Sequence, residues 1–244
     1  GGFIVAYQSL DLSRMSYGIS AQRYNASGSP AGSEFLINKT ESGSQVDVRL
    51  AALDNGGFAA VWSDSGNDGS GYGIFGRRFD ASGTAIDAND FQVNSTISGT
   101  QADAGVTGLS DGGFVVTWTS ASASGDSSGF GVVGQRFDAS GNKIGTEFLV
   151  NTTTANAQKY SYVTALNDGD FVVAWSSDLQ AGDNSQLGVY AQRFASPTPS
   201  GTVTTTDHAV SKVTSSSTGE APFGSNVSFG VGGKTLTLDL SAHH

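Results

Sequence analysis

Short apolar segments, separated by turns of Gly, Asn, Asp and Ser, follow one another along this chain, and one segment recurs four times. It begins with a phenylalanine, follows a glycine-rich turn and ends four positions later with an aromatic residue. The copies begin at Phe3, Phe58, Phe114 and Phe171, a spacing of about 56 residues. No stretch has a sustained 3.6-residue apolar period, so the pattern predicts strands and little helix. A repeat of this length indicates one supersecondary unit stacked against copies of itself.

Each repeat contains several further strand-like segments around this one. In the third repeat, Phe114–Trp118 is followed by Phe130–Phe137 and then by Glu147–Asn151. Turns such as Asp111-Gly112-Gly113 and Asp138–Gly141 separate the segments, and their Gly residues supply the positive φ that a tight hairpin requires. With the apolar segment that leads into each repeat, the pattern predicts a four-stranded antiparallel sheet.

The strands of the repeat are apolar on both faces, as in Phe114-Val115-Val116-Thr117-Trp118. A sheet with one face in water would alternate apolar and polar residues instead. Four-stranded sheets covered on both faces and repeated at this period are typical of β-propeller blades. The sequence therefore predicts an all-β fold, a β-propeller of four repeats. A part of a larger repeat ring or array is the alternative, and a β-solenoid is disfavoured because its repeat is normally much shorter.

The two ends of the repeat region predict how such a ring closes. Residues 1–194 carry the four repeats, which begin at the second strand of a unit, and residues 195–244 form a Thr/Ser-rich tail. The tail contains three candidate strands, Thr202–Thr206, Asn226–Phe229 and Lys234–Leu240. We expect tail strands to complete the fourth blade and, with Lys234–Leu240, the first. A cut from a longer array and a larger ring completed by two chains remain alternatives.

Composition narrows the partners and the compartment. The chain carries 22 acidic against 12 basic residues, a net charge of −10, which argues against nucleic acid and anionic membrane surfaces as partners. No apolar run is long enough to span a bilayer, so we expect no membrane insertion. Cysteine is absent, whereas small secreted eukaryotic domains usually carry disulfides. An extracellular bacterial protein, secreted or on the cell surface, fits these observations best.

One arginine recurs at the same third-strand position of every repeat, as Arg23, Arg78, Arg136 and Arg193. A buried arginine requires a carboxylate or several carbonyl acceptors. The candidate acids recur as well, and they are Glu34, Asp90 and Glu147 on the following strand or Asp80 and Asp138 in the next turn. We interpret the arginines as structural ion pairs, one in each blade, rather than as a ligand-binding ring.

A loop of the second repeat is a candidate calcium site. Asp64, Asn67 and Asp68 lie within five residues of one another, among Gly and Ser. Calcium prefers several oxygen ligands, which closely spaced Asp and Asn side chains and loop carbonyls supply. Because the corresponding loops of the other repeats hold fewer such residues, calcium is predicted at this loop alone.

The aromatic residues divide into core and surface candidates. Tyr7, Trp62, Trp118 and Trp175 are in phase with the recurring Phe, so we expect them in the blade cores. Tyr17, Tyr72 and Phe130 lie on the variable loops and are better placed to contact a ligand. Glycosidase chemistry needs two unequal carboxylates across a cleft. The acidic residues here mostly recur once per repeat, as structural residues do, so no catalytic residues are predicted and the chain is not expected to be an enzyme.

Three segments of the third repeat, Asp111–Trp118, Gly134–Asn142 and Glu147–Thr153, resemble repeat modules of very large secreted bacterial proteins of the adhesin type, which carry RTX-type calcium-binding repeats elsewhere. The resemblance covers about residues 1–194, and the glycine-rich RTX nonapeptide itself is absent. It implies a non-enzymatic surface module for adhesion, glycan binding or extracellular assembly. The expected partners are surface or matrix carbohydrate or protein, with self-assembly. The alternative function is a glycan-processing enzyme or an accessory propeller domain of one.

Overall fold

The computed structural model describes residues 1–13, 15–126, 129–178, 187–195, 226–231 and 234–239. The chain forms two compact units, Gly1–His208 and Ala209–His244. Every regular element of the described residues is a β-strand, which confirms the all-β prediction. No helix in these ranges is long and apolar enough to cross a membrane.

The first unit contains four antiparallel sheets, one for each repeat. The first sheet consists of β1 (Phe3–Asp11), β2 (Ser16–Tyr24) and β3 (Phe35–Leu36), and the second of β4 (Gln45–Ala52), β5 (Phe58–Ser65), β6 (Tyr72–Phe79) and β7 (Phe91–Gln92). The third consists of β8 (Gln101–Gly108), β9 (Phe114–Ser120), β10 (Gly131–Phe137) and β11 (Lys143–Leu149), and the fourth of β12 (Gln158–Ala165), β13 (Phe171–Asp178) and β14 (Leu187–Phe194). In each sheet the strands lie in chain order, as hairpin connections require. The arrangement is consistent with propeller blades.

The hydrophobic core lies between consecutive sheets. One face of β5, with Phe58, Ala60 and Trp62, packs against Ile19 and Ile37 of the first sheet. The opposite face of β5 packs against β9 of the third sheet, and the third sheet packs against the fourth in the same way. Alternate residues of one strand therefore enter two different cores, which explains why both faces of the repeat are apolar.

Each of these three cores contains a pair of stacked phenylalanine rings. The rings of Phe114 and Phe137 lie 4.6 Å apart and nearly parallel, and Phe91 of the preceding sheet tilts against Phe137 at 5.5 Å. The second and fourth sheets repeat this cluster. Such aromatic pairs contribute about 0.5–1.5 kcal/mol beyond the burial of their area.

The recurring aromatic residues of the second, third and fourth sheets are buried, as predicted. The prediction is wrong for the first sheet, where the side chain of Phe3 is 55% exposed and that of Tyr7 is 38% exposed. The physical reason is that burial at these positions depends on a preceding sheet, and the face that Phe3 and Tyr7 share has none among the described residues.

Three of the four recurring arginines form ion pairs with acids of their own repeats, but not with the acids that were expected. Arg78 contacts Asp87 at 2.7 Å, Arg136 contacts Asp111 at 3.0 Å, and Arg193 contacts Asp170 at 2.6 Å and Asp168 at 2.9 Å. Arg23 instead donates from Nη1 to the carbonyl of Ser82 in the second repeat at 2.7 Å. The interpretation as structural ion pairs therefore holds for three repeats, whereas two of the expected partners, Asp90 and Glu147, have other contacts.

Those expected partners connect neighbouring sheets. Both oxygens of the Asp90 carboxylate accept hydrogen bonds from the backbone N–H of Lys39, at 3.0 Å each, and Glu147 accepts from the N–H groups of Ser95 and Thr96. The carboxylates thus bind loops of the preceding sheet. In the opposite direction, Arg78 donates from Nη1 to the carbonyl of Ala139 in the following sheet at 2.8 Å.

The second unit contains a hairpin of β15 (Asn226–Val231) and β16 (Lys234–Asp239), whose register places Phe229 opposite Leu236. Lys234–Asp239 is thus paired with β15, and the described part of the first sheet has three strands. The candidate strand 202–206 lies outside the described residues. Completion of the first and fourth blades by the tail, and the expected boundary after residue 194, stay predictions.

Candidate functional site

The first strands of the second, third and fourth sheets share an irregularity at the same position. In β4, β8 and β12 the pairing register shifts, as it does at a β-bulge. Each bulge holds a residue other than glycine in the left-handed region: Asp47 at φ 56°, Asp103 at φ 56° and Tyr160 at φ 57°. Such a conformation costs on the order of 1–3 kcal/mol and is concentrated at functional sites. These three residues therefore define the candidate site.

The bulged strands enclose a cavity of about 140 Å³. Its polar and aromatic lining comes from all three strands: Arg49 from β4, Asp103 from β8, and Tyr160 and Tyr162 from β12. The rings of Tyr160 and Tyr162 are 56% and 52% exposed, so both are accessible to a ligand. The cavity is smaller than the roughly 300–1,000 Å³ typical of drug-sized ligands, so it suits a single small ring.

Asp103 has the most perturbed environment in this cavity. Burial raises the pKa of its carboxyl group, because removal from water disfavours the charged form, and the negative charge of Asp47 raises it further. A hydrogen bond from Thr119 and the positive charges of Arg49 and Lys159 oppose this rise without cancelling it. Asp47 itself is exposed to solvent. The site thus contains two carboxyl groups in unequal surroundings.

Neighbouring strands hold the bulges in place. The backbone N–H of Tyr160 donates to Oγ1 of Thr119 at 3.1 Å, and Thr119 also binds the carboxyl group of Asp103. The backbone N–H of Asp47 donates to Oε1 of Gln8 in the first sheet at 3.3 Å. All four sheets therefore contribute to the position of the site.

Sequence analysis missed Asp47 and Asp103 because they recur in register, which we took as the mark of a structural role. Asp47, Asp103 and Tyr160 each follow the recurring glutamine of the first strand by two residues. The presence of Tyr160 where two other repeats have an aspartate is a detectable signal, because it makes these equivalent positions chemically different. The left-handed backbone that groups the three residues is not visible in the sequence.

The candidate calcium loop has a different arrangement. Asp64 is buried and accepts hydrogen bonds from Nε2 of Gln45 at 3.1 Å and from Nδ2 of Asn67 at 2.5 Å, and burial raises the pKa of its carboxyl group. Asp68 accepts from the N–H of Ser70 at 2.9 Å and from Asn94. The described residues contain no group of three or more His, Cys, Asp or Glu side chains that could hold a metal ion. Calcium at Asp64, Asn67 and Asp68 stays a prediction, and binding requires the amide of Asn67 to turn its oxygen inward.

None of the aromatic candidates of the loops is among the residues that line the cavity of Asp103. Tyr17 lines a separate cavity of about 360 Å³ with Asp11 and Glu41. Nζ of Lys159 lies 4.3 Å from the centre of the Phe130 ring, which indicates a cation–π contact. The structure therefore does not bring Tyr17, Tyr72 and Phe130 together, and a ligand role for each stays a prediction.

No protein family model and no curated protein sequence matches the chain. Among solved structures, a protein of unknown function from Dyadobacter fermentans has a TM-score of 0.55 at 12% identity, covering 78% of this chain and 48% of that one. A thermostable family-43 glycoside hydrolase (TM-score 0.49, 10% identity, 85% and 72% coverage) and an endo-arabinase from Bacteroides thetaiotaomicron (0.48, 14%, 78% and 70%) are also similar. At these identities the similarity concerns the fold alone.

Two expectations from the sequence need correction, namely that the chain is a non-enzymatic surface module and that it is not an enzyme. Both expectations are withdrawn, since glycoside hydrolases are among the solved structures with a similar fold. The physical reason lies in the recurring acids. Recurrence indicates a structural role, whereas Asp47 and Asp103 lie on left-handed backbone, and burial and the charge of Asp47 raise the pKa of Asp103.

Proposed function

We propose that this chain is the glycan-processing module of a β-propeller protein, with Asp47 and Asp103 as its catalytic pair. The observation that carries the proposal is the position of Asp103, which lines a cavity together with two exposed tyrosines and whose pKa is raised by burial and by the charge of Asp47. Glycoside hydrolysis typically uses two carboxyl groups of this kind, one protonated and one ionised.

The surroundings of the two carboxyl groups assign their proposed catalytic roles. Asp103, whose raised pKa favours the protonated form, is the general acid that gives its proton to the glycosidic oxygen as the bond to the sugar carbon breaks. Asp47, which is exposed to solvent, is the second carboxyl group, and it either removes a proton from the attacking water or attacks the sugar carbon itself. In the first route the hydroxyl group of the water bonds to the sugar carbon, Asp47 takes the proton of the water, and exchange with solvent returns both carboxyl groups to their starting state. In the second route Asp103 removes a proton from a water whose hydroxyl group replaces Asp47 on the sugar carbon, so that the bond to Asp47 breaks and Asp103 regains its proton.

The other residues that line the cavity are placed to contact the substrate. Aromatic rings offer flat apolar faces that suit the apolar face of a sugar, and Tyr160 and Tyr162 present such faces beside Asp103. Arg49, which is exposed, supplies hydrogen-bond donors for sugar hydroxyl groups. With a volume of about 140 Å³ the cavity holds one sugar ring, and the rest of a polymeric substrate extends into solvent.

Hydrolysis of a panel of aryl glycosides and polysaccharides, measured beside binding on a glycan array, tests this function. We expect the wild-type chain to release reducing sugar and the Asp103→Asn variant to lose about 10²–10⁴ of the rate, the usual contribution of a general acid. Asp54→Asn, which changes an exposed turn carboxylate, is the matched control and keeps full activity. Binding without turnover identifies an accessory propeller domain instead, and neither binding nor turnover contradicts the proposal.

The propeller arrangement and the location belong to the same proposal. Face-to-face packing of consecutive sheets, with β4, β8 and β12 around one cavity, supports the propeller arrangement. Completion of the ring by tail strands is the further step of this proposal. Deletion of residues 225–244 tests this closure, because an unpaired strand edge promotes association. A deleted chain that stays monomeric and equally stable contradicts closure by the tail.

Polymeric glycans as substrates and the absence of cysteine support an extracellular location.

A further inference from the structure

One buried hydroxyl group lies between the two bulges that carry Asp103 and Tyr160. Thr119 of β9 is 3% exposed, and in the register of the third sheet it pairs with Ala102, the residue before Asp103. Its Oγ1 accepts a hydrogen bond from the backbone N–H of Tyr160 at 3.1 Å. Because Oγ1 is the acceptor in this bond, its own hydrogen atom is available for a second partner. That partner is the carboxyl group of Asp103.

The same position in the other sheets separates a recurring contact from a particular one. In the first sheet the position of Thr119 is held by Gln8, whose Oε1 accepts the backbone N–H of Asp47 in the following sheet at 3.3 Å. In the second sheet it is held by Ser63, whose buried Oγ has no hydrogen-bond partner among the described residues. Of the two aspartates in the bulges, only Asp103 thus receives a hydrogen bond from the hydroxyl group opposite it in its own sheet.

The bond from Thr119 affects how Asp103 presents its proton. A protonated carboxyl group has one O–H donor and accepts hydrogen bonds on its remaining oxygen. The oxygen that Thr119 binds is the acceptor, so the O–H group of Asp103 is left for a partner in the cavity. The other charged groups that act on Asp103 are Asp47, Arg49 and Lys159, and they act through their charge alone.

We propose that Thr119 is the positioning residue of this site, because its single hydroxyl group holds the general acid Asp103 and the sugar-contacting Tyr160 in one fixed relation. This inference rests on the proposed function, in which Asp103 gives its proton to a glycan whose sugar ring lies against Tyr160. Thr119 is buried and acts only through these two partners. Such placement matters, since a displacement of about 1 Å can cost about 10²-fold in rate.

Titration of Asp103 by nuclear magnetic resonance in three variants tests this role. Thr119→Val removes the hydroxyl group and should raise the pKa of Asp103 above its wild-type value, because a hydrogen bond that favours the ionised form is lost. Thr119→Ser keeps the hydroxyl group and should restore the wild-type pKa. Thr117→Val is the matched control, because Thr117 is also buried on β9 and its Oγ1 binds Oγ of Ser161 in the fourth sheet at 2.9 Å. It should leave the pKa of Asp103 unchanged.

Hydrolysis by the same variants connects the position of Asp103 with catalysis. We expect Thr119→Val to lower kcat by up to about 10²-fold. The loss of activity at high pH should also move upward with the pKa of Asp103, since a general acid must stay protonated. Thr119→Ser and Thr117→Val should remain near wild type in both respects.

Failure of this inference and failure of the proposed function are distinguishable. If the pKa of Asp103 is unchanged or lowered in Thr119→Val, or is raised equally by Thr117→Val, Thr119 is not the positioning residue, even in an active enzyme. An unchanged kcat for Thr119→Val also overturns the role. A wild-type chain that hydrolyses no glycan contradicts the proposed function instead, and the titration then shows only whether the hydrogen bond exists. Circular dichroism checks that the variants are folded, and Thr119→Ala replaces Thr119→Val if that variant is not.

Discussion

Asp47 and Asp103 occupy the same position of consecutive sheets, each in the left-handed backbone region at φ 56°, and the charge of Asp47 raises the pKa of Asp103. A structural role does not account for this combination. Left-handed aspartates store backbone strain, and a pair of neighbouring carboxyl groups adds electrostatic repulsion. Both costs oppose folding, and both are typical of residues that are retained for binding or catalysis.

Replacement of Asp103 should therefore stabilise the fold. The folded state favours protonated Asp103, so its contribution to stability is fully present below the ordinary pKa of about 3.9 and is lost as the pH rises through the raised value. The amide side chain of the Asp103→Asn variant cannot ionise, so the variant does not lose this stability as the pH rises. At pH 7 we expect the variant to be more stable than the wild type.

Urea denaturation of wild type and Asp103→Asn at several pH values measures this effect. The stability gain should be largest near neutral pH and should vanish near pH 3, where both states of the wild type carry the proton. Asp54→Asn, at an exposed turn, serves as the control and should show no such gain. A less stable Asp103→Asn variant at pH 7 would show that ionised Asp103 supports the fold.

Truncation of Trp118 should destabilise the fold strongly. Trp118 is 1% exposed and belongs to the core between the second and third sheets. Removal of a buried aromatic side chain typically costs about 3–5 kcal/mol. Tyr7→Ala is the matched control, because Tyr7 has the same repeat position but is 38% exposed, and it should cost much less in thermal and urea denaturation. Equal costs for the two variants would contradict the assigned packing.

Addition of one methyl group at Gly141 should also destabilise the fold. Gly141 has a φ of +83°, and a Cβ atom there would lie 2.6 Å from Cζ of Arg78, which is held by Asp87. Gly28 occupies the same turn position with a φ of +78° and nothing within 4 Å. Gly28→Ala therefore shows the cost of the left-handed backbone alone, and Gly141→Ala should exceed it by about 1–3 kcal/mol, the usual cost of overpacking. Similar melting curves for the two variants would show that Arg78 is free to move.

Calcium binding at the second-repeat loop is tested by melting curves in calcium and in chelator. A cation that binds only the native state at Asp64, Asn67 and Asp68 raises the melting temperature by mass action. Asp68→Ala should abolish the increase, and it should also lower the melting temperature of the metal-free protein, because it removes the acceptor of the hydrogen bonds from Ser70 and Asn94. Identical melting curves in calcium and in chelator would show that the loop does not bind calcium and is only a hydrogen-bonded turn.

The repeat pattern was sufficient to predict the sheets and most of their core. Phe114 and Trp118 are buried as expected, because strand alternation and hairpin turns are local properties that the sequence displays directly. Exposure of Phe3 was not predictable in this way, since it depends on whether another sheet covers its face. Whether a second sheet covers a residue depends on tertiary packing, which cannot be read from the position of that residue in the repeat.

The ion pairs and the candidate site show a second limit. Arg78 was expected to pair with an acid on the next strand or in the next turn, yet the acid within reach is Asp87 in the loop between those two segments. Sequence spacing does not fix which of several nearby carboxylates a long side chain meets. At the candidate site, recurrence in register gave no reason to single out Asp47 and Asp103, because only the folded backbone shows their left-handed conformation and the cavity that Asp103 lines.

The pKa of Asp103 tests the catalytic pair most directly, and it can be measured by titration of the side-chain carboxyl carbons with nuclear magnetic resonance. The account predicts that Asp103 titrates above the ordinary range for aspartate, and that Asp47→Asn lowers its pKa because one of the charges that raises it is removed. Asp54→Asn should leave the pKa of Asp103 unchanged. An Asp103 that titrates at an ordinary pKa, or one that does not respond to Asp47→Asn, would contradict the proposed pair.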